Sequence, residues 1–275
     1  MKNTKKLITV ATLVLAMFAS FAYVTPANAE ETAKKQVVTT PGVITTNYFN
    51  LTIPEQYKDK FVAEVTDDDV VLYSKKCYDW SDGKYSEGDH AGVVFWFSMT
   101  PYEEFFGGYK IFKKVGSMLF ASAEPTDVQY PLPDEDKKLD AAETAQIEEA
   151  KNEYDELFKL GPDLIGNSFE PLVTAPGDVT LKSAKNVKGK KIKVSYEGKT
   201  DDILKYEVQI GQKSYGEWYW DGKTTTKSTI TLSKSIGEKL KKNKTYKVRV
   251  RSIGKKGDLL IYGKWSKAKS IKIKK

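Results

Sequence analysis

From Lys191 onward the apolar residues fall at every second position, in short runs broken by glycine. Ile192, Val194 and Tyr196 alternate with Lys191, Lys193 and Ser195. Tyr206, Val208 and Ile210 alternate with Glu207 and Gln209, and Ile230 and Leu232 with Thr229 and Thr231. Tyr246, Val248 and Val250 alternate with Lys247, Arg249 and Arg251, and Ile271 and Ile273 with lysines. Successive side chains of a strand point to opposite faces, so each run has one apolar face and one wet face. Short runs of this kind between regular turn signals bury their apolar faces only by pairing two antiparallel sheets, which predicts a sandwich over residues 174–275.

Within that region Leu240 and Tyr246 bracket a Lys-Lys-Asn-Lys-Thr turn that leads into the alternating run to Arg251. This segment, with Gly263-Lys264-Trp265-Ser266 before the last strand, resembles a fibronectin type III domain of the form common in exported proteins of low-GC Gram-positive bacteria. The resemblance implies an immunoglobulin-like all-β sandwich in which Tyr246 takes the tyrosine-corner position and bonds the upstream backbone. Two residues depart from the pattern: Tyr196 stands where the second strand usually carries tryptophan, and Lys242 where the turn usually carries proline. The fold alone implies no ligand.

Residues 42–172 read differently. Strands are expected at 48–53, 61–65, 70–74, 93–99, 109–113 and 117–123, with a helical turn after Pro54. The run Val93 to Phe97 is almost unbroken in apolar residues, as in a central strand covered on both faces. From Asp134 to Leu160 the period becomes helical through Leu139, Ala142, Ile147, Ala150, Tyr154, Leu157 and Phe158, and Gly161-Pro162 stops it. An antiparallel sheet with one long helix makes an α+β domain. The opening from Tyr48 to Val62, the strand Gly108 to Lys114 and the unit Glu124 to Pro131 are similar to an uncharacterised domain of exported clostridial (Firmicute) proteins. That likeness implies no activity and no site residues.

Charge divides at the same place as pattern. Residues 30–172 carry 28 Asp and Glu against 14 Lys, a net of −14; residues 173–275 carry 27 Lys and Arg against 9 Asp and Glu, a net of +18. Of the 44 basic residues only Arg249 and Arg251 are arginines. Lysine is a hydrated point charge, whereas arginine gives planar, bidentate phosphate recognition, so this surface favours diffuse, salt-sensitive attraction to polyanions over nucleic-acid readout.

At the N-terminus Lys2, Lys5 and Lys6 precede an uncharged, mostly apolar run from Leu7 to Val24, and Pro26-Ala27-Asn28-Ala29 ends in a small-x-small site. Residues 1–29 are therefore expected to be a signal peptide, with residues 30–41 as a flexible mature N-terminus. An uncleaved anchor is the rival reading, since the run approaches the roughly 20 residues of a membrane span. No cysteine stands at the cleavage site for lipid attachment, no second apolar run follows, and Lys272-Ile273-Lys274-Lys275 is no sortase signal. The expected product is secreted, free or held non-covalently, with no transmembrane segment and no nucleic-acid partner.

Catalytic resources are few. His90 is the one histidine and Cys77 the one cysteine, which excludes an intramolecular disulfide and falls short of a zinc set. Cys77 reads as a structural residue and His90 as part of a turn. No serine sits in a nucleophile elbow. Glu103 and Glu104 are adjacent, and adjacent residues point apart, so they do not make a glycosidase pair. Asp67-Asp68-Asp69 and the loop from Asp79 to Asp89 offer hard oxygen ligands without EF-hand spacing, and read as solvated turns. No catalytic residue, metal site or cofactor is expected.

Tyr215, Trp218, Tyr219 and Trp220 are the candidate ligand-binding residues. Four large aromatics in six positions exceed what one strand buries on one face. Trp218 and Trp220 share a face and could stack sugar rings; in the alternative they pack into the sandwich while Tyr219 lies on the surface. Four readings follow. The protein is a non-catalytic surface protein whose basic sandwich binds anionic cell-wall polymers and presents the acidic domain. It is a carbohydrate-binding accessory, with an extracellular glycan or protein ligand. It is an extracellular hydrolase with a site of scattered carboxylates. Or the two opposite fields pair with each other.

Overall fold

In a computed structural model, residues 35–82, 90–100, 108–127, 129–131, 139–198 and 201–274 are described. The expected signal peptide lies outside them, as do Glu103, Glu104 and most of the loop after Asp82. Among the described residues the fold is mostly β-sheet with one long helix.

The first part begins with β1 (Gln36–Val38), β2 (Val43–Thr45), β3 (Phe49–Thr52), β4 (Phe61–Val65) and β5 (Asp69–Ser74). Then come α1 (Lys75–Ser81), β6 (Val93–Thr100), β7 (Lys110–Val115) and β8 (Met118–Ala123). Helices α2 (Ala141–Lys159) and α3 (Asp163–Gly166) and the short β9 (Glu170–Pro171) complete it. Six strands make an antiparallel sheet in the order β1-β4-β5-β6-β8-β7, and β2-β3-β9 make a small second sheet.

Strand β6 is interior in that order, as its apolar run requires. Phe95, Phe97 and Met99 face the main core; Val93 and the half-buried Trp96 join a smaller cluster with Val62 and Tyr73. Helix α2 starts at Asp140, whose carboxylate accepts the Glu143 N–H at 2.8 Å, and it stops before Gly161 in a left-handed conformation (φ +68°). Its buried stripe is Ala150, Tyr154 and Leu157; Ala142, expected on that stripe, is exposed. The helix thus packs by its second half and begins at Ala141 rather than Asp134; residues 132–138 are outside the described ones.

Strand β1 and helix α1 were not expected, nor were β2, α3 and β9. Gln36–Val38, within the stretch read as flexible, pairs with β4, and the Lys35 ammonium meets the buried Glu64 at 2.9 Å. Helix α1 has no cap of its own: Glu153 of α2 accepts from Ser74 Oγ and from the Lys76 N–H, both at 2.8 Å. Cys77 of α1 is fully buried and donates to the Ala150 carbonyl at 3.4 Å; burial pushes its thiol up to about 12, which keeps it protonated.

The second part runs through β10 (Val179–Val187), β11 (Lys191–Gly198), β12 (Lys205–Ser214), β13 (Glu217–Thr225) and β14 (Thr229–Leu232). Next are β15 (Lys234–Ser235), β16 (Glu238–Lys239), β17 (Thr245–Lys256), β18 (Leu259–Tyr262) and β19 (Lys269–Lys272). Sheet β10-β11-β14 faces sheet β13-β12-β17, to which β18 and β19 both add through β17. Ile192, Val194, Val208, Val248 and Val250 fill the core between them. Tyr246 is 1% exposed and its hydroxyl accepts the Lys241 N–H at 3.0 Å, the upstream backbone bond that the resemblance implied. Tyr196 donates to the Lys227 carbonyl at 2.6 Å and meets the Tyr206 ring edge-on.

Packing crosses the expected boundary near Pro176. Lys35–Lys275 form one compact unit, and Ile261 of β18 is 3% exposed within the core of the first part, with Leu259 against it. Beside them the Ser117 N–H donates to the Tyr262 carbonyl at 2.8 Å. Gly116 makes that approach possible, because a Cβ there would come 2.4 Å from the same carbonyl oxygen.

Candidate functional site

The strand registers sort the sandwich into two ends. At one end Ile253 pairs with Tyr262 and Lys205 with Ile253, next to the first part. At the other, Gln212 pairs with Tyr246 and Thr245 with Lys272. That far end gathers the β10–β11 turn, the β12–β13 tip, the β15–β16 tip, the turn at 241–244 and the last strand.

A groove of about 860 Å³ lies there between β10 and β19. Lys185, Lys188, Lys272 and Lys274 line it with Asn186, Ser270 and the Ile271 flank, and no acidic residue does. Asn186 holds the two edges together: its amide donates to the Lys191 carbonyl at 3.0 Å, and its Oδ1 accepts the Lys274 N–H at 2.9 Å. All four lysines are exposed, so their ammonium groups stay hydrated until an anion arrives. The groove can attract and follow a polyanion. Sequence reasoning saw only the net charge of this region, because its two sides come from opposite ends of the sandwich sequence.

The aromatic candidates are dispersed. Trp218 and Trp220 lie on the outer face of their sheet, half-buried, neither in the sandwich core nor open on both sides. The Lys247 ammonium lies 4.2 Å from the Trp218 ring centre, and the Arg249 guanidinium 4.1 Å from that of Trp220. Arg249 is equally close to Trp265, and Arg251 fits between Trp265 (4.3 Å) and Tyr262 (4.2 Å). Gln209 accepts from Arg249 Nε and Nη2 at 2.9 and 2.7 Å, and Glu207 from Arg251 Nε at 2.7 Å. Rings and cations therefore alternate along the face as a ladder. Gly211 lets it form: a Cβ there would meet the Trp220 ring at 2.9 Å. Tyr219 points to the other face, 47% exposed, and Tyr215 at the hairpin tip is 98% exposed.

Elsewhere, His90 stacks on Tyr78 at 3.7 Å, and the Tyr78 and Tyr73 hydroxyls donate to Glu64 at 3.3 and 2.8 Å. Burial, then the Glu64 charge, push Tyr78 up to about 12. Among the described residues no group of three or more His, Cys, Asp and Glu could hold a metal ion, and no helix is long and apolar enough to cross a membrane.

Asp69, at the start of β5, accepts from the Ser98 hydroxyl, yet burial and the Asp68 charge push it up to about 6. A carboxyl whose folded pKa lies above its unfolded value favours the fold when protonated. Its contribution is full below about pH 4 and is lost as pH rises through 6, about 2–3 kcal/mol in all. Asp69→Asn keeps the acceptor for Ser98 and is expected to be the more stable protein at pH 7, with the advantage gone at pH 4. Urea unfolding of both proteins across that range checks it; parallel curves would remove Asp69 as the cause.

No protein-family model and no curated protein matches this chain. Among solved structures it is similar to one described as "Myokine structure", at 16% identity over 37% of this chain and 100% of that one, TM-score 0.29. It is also similar to a Fn3-like protein from Clostridium thermocellum, at 18% identity over 37% of this chain and 97% of that one, TM-score 0.28.

Proposed function

We propose that this is a secreted, non-catalytic binding protein, held on the anionic polymers of a Gram-positive cell wall by its fibronectin type III-like sandwich. The lysine groove between β10 and β19 carries the reading: four cationic side chains line one concavity with no acid among them. The net of +18 over residues 173–275 supplies a long-range field toward that end of the chain, and the acidic part, at −14, is turned toward the surroundings. Lysines on an edge strand such as β10 also deter strand pairing, so position as well as charge must be tested.

The test is retention of residues 30–275 on purified, lipid-free Gram-positive walls as salt is raised. Binding is expected to fall linearly on logarithmic axes, as counterion release requires. Changing Lys185, Lys188, Lys272 and Lys274 together to glutamine is expected to weaken retention about tenfold or more. The same change at Lys205, Lys223, Lys227 and Lys264 removes equal charge elsewhere and is expected to weaken it far less. Equal losses would mean diffuse charge without a groove, and absence of retention would end the reading. Stacking of an uncharged glycan on Trp218 and Trp220 is the less supported reading, since a cation already occupies a face of each ring.

A further inference from the structure

The far end of the sandwich carries a second feature, independent of the groove. Two of its hairpin tips are two-residue turns, Tyr215-Gly216 between the paired Ser214 and Glu217, and Ile236-Gly237 between the paired Ser235 and Glu238. All four central residues have positive φ: 47° and 89° in the first turn, 51° and 73° in the second. Turns of this kind take Asn-Gly, Asp-Gly or Gly-Gly, because a Cβ crowds the backbone there. A bulky aromatic is unusual at that position and a β-branched residue is an outlier.

Packing covers almost none of Tyr215 and leaves Ile236 partly open to solvent. Tyr215 is 98% exposed and Ile236 43%, so two strained positions leave apolar surface facing water. Strain that the fold does not need is a pointer to function. The second tip is tied to the first hairpin: the Ile236 N–H donates to Asp221 Oδ2 at 3.0 Å, and Asp221 shares a face of β13 with the exposed Tyr219. Lys244 Nζ reaches Gln212, the cross-strand partner of Tyr219, at 3.3 Å.

We propose that this end docks on an anionic lipid bilayer, with Tyr215 and Ile236 entering the interface and the lysines around them meeting the headgroups. Lys213, Lys234, Lys239, Lys241, Lys242 and Lys244 lie on these turns and their flanks. Against them stand Glu217, Asp221 and Glu238, of which Asp221 is engaged by the Ile236 N–H and Glu238 by Lys241 at 2.8 Å. The excess is positive, which fits a negative surface and not a neutral one. Ile236 selects the occupant. It has no ring face for a sugar to stack on, and an exposed aliphatic group gains by leaving water for acyl chains. Tyrosine, apolar in its ring and polar at its hydroxyl, suits the boundary layer beside it.

The experiment is co-sedimentation of residues 30–275 with vesicles of phosphatidylcholine alone or with phosphatidylglycerol. Binding is expected only with the anionic lipid, and it weakens with salt. The paired change Tyr215→Asn and Ile236→Asn installs the residue these turns favour, so the variant is expected to melt no lower than the parent. Its vesicle affinity is expected to drop about tenfold or more while lipid-free wall retention stays unchanged. Failure of the parent to sediment, or equal binding by the variant, overturns the proposal. Loss of wall retention with vesicle binding intact would instead make the tips part of a polymer site.

Discussion

Replacing Phe169 with alanine lowers the folding stability by about 4 kcal/mol and the melting temperature by about 10 °C. Phe169 sits between α3 and β9, is 3% exposed, and is where the small sheet, the large sheet and their connections meet. Its ring centre lies 4.9 Å from Phe49, 5.7 Å from Phe97, 5.8 Å from Phe120 and 6.0 Å from Phe112. Removing it therefore empties a volume walled by four rings on four strands, none of which can fill the gap without leaving its own sheet. The loss combines the transfer term of a phenyl group with the cavity that remains. Phe169→Leu keeps most of the volume and is expected to cost about 1–1.5 kcal/mol. Urea unfolding followed by tryptophan emission reads both; a loss below about 1.5 kcal/mol for alanine would show that the core closes over the gap.

The second part of the fold was legible because its code is local. Each strand announces itself by parity, and glycines mark most of its turns, so Val194, Val208 and Val248 could be placed on inner faces from the sequence alone. Where a residue serves another element's core the code is silent. Leu259-Leu260-Ile261-Tyr262 shows no alternation, and Ile261 packs into the first part, which neither charge nor pattern forecasts. Helix α1 is seven residues long, too short to stand alone, and takes its N-terminal acceptor from Glu153 far along the chain. Helical spacing around Ala142 was real, but spacing records only what a helix could bury, and packing begins at Ala150.

The candidate site was legible to the same depth. Parity correctly put Trp218 and Trp220 on one side of β13. What lies over them depends on register: Gln209 pairs with Arg249 and Gly211 with Trp220, and only that alignment brings guanidinium to indole. The lysine groove likewise needs β10 beside β19, a contact fixed by the Asn186 side chain and the Lys274 backbone. Residue types were visible in advance; the partners were not.

Arg249→Ala is the change that tests the ladder, and it is expected to lower stability by about 3 kcal/mol. Arg249 stacks between Trp220 and Trp265, each at 4.1 Å, and such contacts contribute about 1 kcal/mol apiece when half-buried. Its two bonds to Gln209 add about 1 kcal/mol or more, because a charged donor is lost from a sheltered acceptor. Two indoles become wetter at once, so tryptophan emission of the folded protein is expected to shift to longer wavelength. Arg249→Lys keeps the charge but not the planar fork, and is expected to recover less than half of the loss. A fall under about 0.5 kcal/mol, with emission unmoved, would mean that the stacked groups hold their places without one another. The ladder crosses the sheet from Trp218, beside the far hairpin, to Tyr262, beside the first part's core.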